Sequence, residues 1–220
     1  MNKIVIFGIE KFAEMIYSLL QEQEENCVYG FCIDMKYMPA QKEKYGLPIV
    51  PFEEIQDFFP ASEFSVIFCI GYTDMNRLRK ARMETALKLG YQVIGYTHPT
   101  AIIQAEKVGI GNIFMEGVIC GQNSQIGDGN IFWPMAHVAH HTCVGSYNFF
   151  TISSVVAGNI KIADYCIFGA NCTVKNGVNI AEGTLVGAGA YISKDTEPWS
   201  VYAPPRTYKL EGKKSTDFKL

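Results

Sequence analysis

VGIGNIFMEGVICGQNSQIGDGNIFWPMAHVAHHTCVGSYNFFTISSVVAGNIKIADYCIFGANCTVKNGVNIAEGTLVGAGAYI, Val108 to Ile192, carries an apolar residue at every sixth position without a break. The series is Val108, Phe114, Cys120, Ile126, Phe132, Val138, Val144, Phe150, Val156, Ile162, Phe168, Val174, Ile180, Val186 and Ile192. In a chain that is 48% apolar, fifteen consecutive hits in one phase arise by chance about once in ten thousand. Six residues are too few for a helical repeat and too many for strand alternation, so each hexad reads as one side of a coiled solenoid. Three sides then make an 18-residue coil. Glycine often follows the apolar residue, at Gly109, Gly121, Gly127, Gly145, Gly169 and Gly187, where a corner favours small residues. Ser124, Ala136, Thr142, Ser154, Thr184 and Ala190 fill the fifth place of their hexads.

The 220 residues can bury a substantial core. A net charge of −3 leaves no basic excess to neutralise phosphates, so nucleic acid is not an expected partner and a small-molecule substrate is. No 18-residue apolar run occurs and Met1 leads directly into a β-like run, so the reading is cytoplasmic with no membrane span. The seven cysteines form no CxxC pair and read as free thiols. No metal site is expected.

Before the solenoid, β-like and α-like segments alternate. Lys3 to Phe7 reads as a strand ending at Gly8, and a helical pattern follows with Phe12, Met15, Ile16, Leu19 and Leu20. Val28 to Ile33 reads as a strand ending at Asp34. A proline-containing loop to Pro51, a short helix near Glu53 to Phe59 and a strand Ser65 to Ile70 come next. A helix from Asn76 to Leu89 is stopped by Gly90, and Gln92 to Tyr96 is the last strand. This alternation predicts a small parallel sheet with helices on its faces. Ile9, Glu10 and Lys11 stand where dinucleotide-binding glycines would, which argues against a nicotinamide enzyme. Asp34 is placed to accept hydrogen bonds from a ribose or base. The pattern changes around His98, Pro99 and Thr100 and ends after Ile192, giving regions 1–97, 98–195 and a tail 196–220.

Three of the four histidines, His137, His140 and His141, lie within five positions on one solenoid turn, where an imidazole suits a general base. The 18-residue coil sets Gln122 and Gly158 on either side of His140, and aligns Asn123, His141 and Asn159 in a polar column. Exposed aromatics, Trp133, Phe149 and Tyr147, are expected beside the histidines.

The segments IVIFG, FCID, PFEEI, IGYTDMNRLR, AHHTCVG and VVAGNIKIADYCIFGANCTV resemble those of bacterial hexapeptide-repeat sugar acyltransferases, including sialic acid O-acetyltransferases and bacillosamine-pathway N-acetyltransferases. The resemblance covers nearly the whole chain. It implies an α/β N-terminal Rossmann-like, nucleotide-sugar-binding domain followed by an all-β left-handed parallel β-helix. It also implies acetyl-CoA as acyl donor, a nucleotide-linked or free sugar as substrate, and a homotrimer with the cofactor between subunits. Matching hexad phase puts the base on His140. His141 falls where the amino-sugar branch has a carboxylate, and Phe149 where that branch often has a histidine, so a hydroxyl acceptor is nearly as well supported as an amine. The resemblance assigns Gly158, Gly169, Ala170, Gly187, Ala188 and Arg206 to the cofactor. It assigns Gly8, Asp34, Gly71, Asn76 and Arg79 to the substrate, Arg79 being equally readable as a helix-surface cation. Two other readings are a catalytically decayed sugar-binding scaffold and a solenoidal zinc carbonic anhydrase using His137, His141 and His98.

Overall fold

The computed structural model describes residues 2–212 and 214–217; Met1 and positions 213 and 218–220 of the tail lie outside them. The sixfold series folds into three stacks of two-residue strands joined by four-residue corners. The first face runs from Tyr96–Thr97 through Ile113–Phe114, Ile131–Phe132, Phe149–Phe150, Ile167–Phe168 and Leu185–Val186 to Val201–Tyr202. The second runs from Ile102–Ile103 to Tyr191–Ile192, and the third from Lys107–Val108 to Asn179–Ile180. Every pairing is parallel, with Phe114 beside Phe132, Val138 beside Val156 and Val144 beside Ile162. The result is a parallel β-helix.

The series residues point inward and are buried except Val108, which stays 44% exposed at the open end of the third face. The first coil is one residue shorter than the others: Phe114 pairs with Thr97 and Cys120 with Ile103. A strict sixfold count therefore misses the rungs before Val108. Phe114, Phe132, Phe150 and Phe168 stack at centroid spacings of 4.9, 4.5 and 4.5 Å.

An asparagine ladder runs up the corner between the third and first faces. Asn112 Oδ1 accepts from Asn130 N, Asn130 Oδ1 from Asn148 N, and Asn148 Oδ1 from Cys166 N, at 2.7 to 2.9 Å. Asn130 Nδ2 also donates to Gly145 O. Replacing Asn130 with alanine strands the buried Asn148 N–H and the part-buried Gly145 carbonyl, and should cost about 2 kcal/mol and lower Tm by roughly 4–8 °C. A calorimetric scan that matches the wild type would refute the ladder's role. At the far end Asp195 accepts from the main-chain and side-chain N–H groups of Asn179, which hold its carboxyl below the usual range, and Thr196 Oγ1 accepts from Ala181 N. These side chains stand in for the next rung and close the sheet edge.

Ahead of the solenoid lie β1 (Asn2–Phe7), α1 (Lys11–Gln21), β2 (Asn26–Ile33), β3 (Glu43–Lys44), β4 (Leu47–Pro51), α2 (Ile55–Phe58), β5 (Ser65–Phe68), α3 (Arg77–Lys88) and β6 (Gln92–Val93). The sheet order is β3-β4-β2-β1-β5-β6, parallel except for the β3–β4 pair. The expected loop before Pro51 is thus a hairpin. Tyr45 and Gly46 turn it at positive φ, and β4 then pairs with β2. The proline content hid it; of the three prolines in the segment, Pro48 and Pro51 sit on β4, which only the two-residue β3 borders on its outer side. The expected strand Gln92 to Tyr96 is split, because Tyr96–Thr97 joins the first solenoid face.

The β/α part covers the outer side of that face. Phe149 and Tyr147 are buried there rather than exposed, with Tyr72 edge-on to Phe149 at 5.3 Å. Trp133 is half-buried against Phe12 at 5.8 Å. The expected exposed aromatic cluster beside the histidines is therefore absent: outward residues of the first face form the floor for α1 and the β5–α3 loop.

Candidate active site

His140 and His141 occupy the corner between the second and third faces, both exposed. His141 has φ 55°, and so do its rung neighbours Asn123 (58°) and Asn159 (59°), the left-handed turn that lets a four-residue corner change direction. Main-chain bonds from His141 N to Gln122 O and from Asn159 N to His140 O, both 3.0 Å, fix the stacking. Asn123 Nδ2 lies 3.2 Å from His141 Nε2, so the lower half of the polar column forms. An added Cβ at Gly158 would lie 2.7 Å from His140 Cε1; glycine there admits the ring.

Gln122 does not hold His140. Its ring meets His141 instead, Nδ1 to Nδ1 at 3.0 Å. Only one of two such nitrogens can carry the proton, so the pair is tautomer-coupled. His140 Nε2 is basic when His140 Nδ1–H donates to His141 Nδ1 and His141 Nε2–H donates to Asn123. That order requires the Asn123 amide to present its oxygen, a half-turn of a group whose N and O look alike. His98 bonds Thr100 Oγ1 at 2.8 Å and does not join the pair; His137 lies on the second face.

Gly169, Ala170, Gly187 and Ala188 lie on a different corner, between the first and second faces. An added Cβ at Gly169 would meet Ala188 N, and one at Gly187 would approach Tyr202 O, so coil stacking alone accounts for these two glycines. The N–H groups of Ala170 and Ala188 donate to no protein acceptor among the described residues. Arg206 is exposed in the tail. One chain thus brings Gly158 to the histidines, and leaves Gly169, Ala170, Gly187 and Ala188 across the second face. Burial pushes the thiols of Cys120, Cys166 and Cys172 up to about 12, which removes them as nucleophiles.

A cavity of about 310 Å³ opens at the C-terminal ends of β1, β2 and β5, lined by Gly8, Phe12, Asp34, Gly71 and Leu78 among others. Strand order reverses between β1 and β5, the place where open parallel sheets take ligands. Asp34 does not offer free acceptors. It is 2% exposed, and Arg82 donates to both its oxygens, Nε at 2.6 Å and Nη2 at 2.8 Å. Sequence reading missed Arg82, since nothing in a helix pattern says which distant carboxylate a cation meets. Arg79 is not a surface cation; it is fully buried and bonded to main-chain carbonyls. Asn76 is fully buried at the start of α3 with φ 66°, its side-chain N and O both without partners.

No family model matches the chain, and no curated protein matches it. Solved structures do. The acetyltransferase domain of PglB from Neisseria gonorrhoeae FA1090 superposes with TM-score 0.78 at 19% identity, covering 91% of this chain and 96% of that one; it is also known in complex with acetyl coenzyme A. PerB from Caulobacter crescentus, solved with CoA and GDP-perosamine, gives TM-score 0.78 at 24% identity over 91% and 93%. WeeI from Acinetobacter baumannii AYE gives 0.64 at 17% over 91% and 96%. The chain has the fold of these proteins. Within this acetyltransferase fold the histidine corner and the front cavity are separate features of one chain.

Proposed function

We propose that the protein is an acyl-CoA-dependent acyltransferase that uses acetyl-CoA to modify an amino or hydroxyl group of a nucleotide-linked sugar, in cytoplasmic synthesis of a surface polysaccharide or glycoconjugate. The observation that carries this reading is the tautomer-coupled His140–His141 pair, on an open corner of a solenoid that has the acetyltransferase fold. Regions 1–97, 98–195 and 196–220 would hold the sugar, run the transfer and close the cofactor cleft. The first is taken as Rossmann-like, and the solenoid as left-handed, as the resemblance implies.

The residues suit the cofactor. The small side chains of this corner leave the N–H groups of Ala170 and Ala188 open to a pantetheine arm, and bound acetyl-CoA would supply the activated thioester. His140 Nε2 takes the proton from the acceptor as its nitrogen or oxygen attacks the thioester carbonyl, the C–S bond breaks, and the imidazolium returns a proton to the departing CoA sulfur. With the Asn123 amide turned to present its oxygen, His141 and Asn123 hold the ring in that tautomer and share the charge through the Nδ1 contact. A neutral imidazole compensates that charge less than a carboxylate does.

The two corners on either side of the second face make the site incomplete within one chain, since His140 lies on one and the Ala170 and Ala188 amides on the other. In a homotrimer a neighbouring copy would set its second corner against the first and complete the site, and this is the assembly we propose. Sedimentation should give three times 24.5 kDa; a fully active monomer would overturn the arrangement. Thiol release from acetyl-CoA, stimulated by one member of a panel of sugars and nucleotide sugars, tests the function. No stimulation by any acceptor would favour the decayed scaffold.

A further inference from the structure

Side chains alternate along a strand, so the outward residue of each rung reports what its face meets. On the third face Lys107, Gln125, Lys161 and Asn179 point outward and are exposed, as befits a surface left to water. On the second face the outward column is Ile102, Ile119, His137, Val155, Thr173 and Tyr191, stacked in register. Ile102, Val155 and Tyr191 stay exposed in a single chain. An open column of this kind marks a contact surface.

The two flanks of this face show that a second copy covers it. Gly121, Ala139 and Ala157 run along the edge next to the histidine corner, whereas Met135 and Ile152 stand exposed on the opposite corner. Copies related by rotation would seat Met135 and Ile152 of one over the small residues of the next, a head-to-tail contact that closes into a ring. The corner between the third and first faces is unavailable for the axis because α3 lies on it, with Lys80 Nζ donating to Tyr165 OH at 2.8 Å. The second face is therefore the one turned toward the threefold axis of the homotrimer proposed above, on which this inference rests.

His137 sits at mid-height in that column, between Ile119 and Val155. The histidine side-chain bonds are made by His98, His140 and His141, so the His137 ring has no protein partner among the described residues. No three ligating side chains gather within one chain among those residues. Threefold symmetry supplies the missing two, because it sets three copies of His137 at one height around the axis. We infer that the three His137 imidazoles bind one divalent transition-metal ion there and tie the assembly together. Imidazole donors suit zinc, cobalt or nickel, whereas magnesium and calcium need oxygen ligands that this column lacks. Three nitrogens leave the fourth tetrahedral position to water. The ion takes no part in acyl transfer, since His140 lies on the corner beyond the small-residue edge.

Cobalt(II) is the probe. The full chain, stripped with EDTA, should take up one Co²⁺ per three chains with the visible absorption of a four-coordinate ion. Dissociation to single chains of 24.5 kDa should need at least tenfold greater dilution with Co²⁺ than without it. His137→Phe and His137→Gln should both lose the uptake and keep kcat at concentrations where they are trimeric, while His140→Ala keeps the uptake. Val155→Asp, on a side chain exposed in one chain, should weaken assembly at least tenfold by bringing three carboxylates together. One Co²⁺ per chain, none at all, or one-third uptake surviving in both His137 variants overturns the site. So does an assembly that Val155→Asp leaves untouched. A trimer that binds no cobalt removes the ion and leaves the homotrimer standing; a chain monomeric with and without Co²⁺ removes both, and thiol release by that monomer would still support acyl transfer.

Discussion

His140→Ala should lower turnover by about 10²- to 10⁴-fold, the range typical of a lost general base, with acetyl-CoA affinity nearly unchanged. The structure sharpens what the neighbouring variants should do. His141→Asn should hurt less, since an amide oxygen can still accept from His140 Nδ1–H. His141→Glu should preserve or raise the rate by giving the imidazolium a formal partner. Gly158→Ala should reduce activity through His140 alone, because its methyl would press on the ring 2.7 Å away. Steady-state kinetics on these four variants and on His140→Asn decides the assignment. An active His140→Asn beside a dead His141→Asn would move the base by one residue, and two active variants would remove general-base catalysis from this corner.

The second large effect concerns the solenoid. Ile162→Asp places a carboxylate among packed inward residues, where Val144 and Ile180 flank it on adjacent rungs. Arg79 is the one buried cation among the described residues and is bonded to main-chain carbonyls, so the charge goes unpaired or protonates at a penalty. We expect a loss of about 4 kcal/mol or more and a fall in Tm exceeding roughly 10 °C. A thermal melt superimposable on the wild type would disprove the inward register. The same substitution at Val108 should be nearly silent, since that side chain is exposed at the open end.

The sequence by itself determined which residue of each hexad turns inward, from Phe114 to Ile192, because a period of six is a local property repeated on every side of the coil. It also determined the histidine corner and the glycine beside it, since an 18-residue coil makes stacking a matter of counting. Tertiary structure alone decided the rest. That Asp34 is spent on Arg82, that Arg79 grips four carbonyls, and that Phe149 lies under the β/α part all depend on contacts across tens of residues. No period records those distances. The first coil's missing residue and the hairpin at Tyr45 escaped for the same reason: each breaks a repeat or a composition rule locally and is stabilised by a partner strand elsewhere. The direction of the peptides on either side of Gly71 follows from the same limit, because it is set by what each carbonyl meets, and only the folded chain brings Arg79 beneath them.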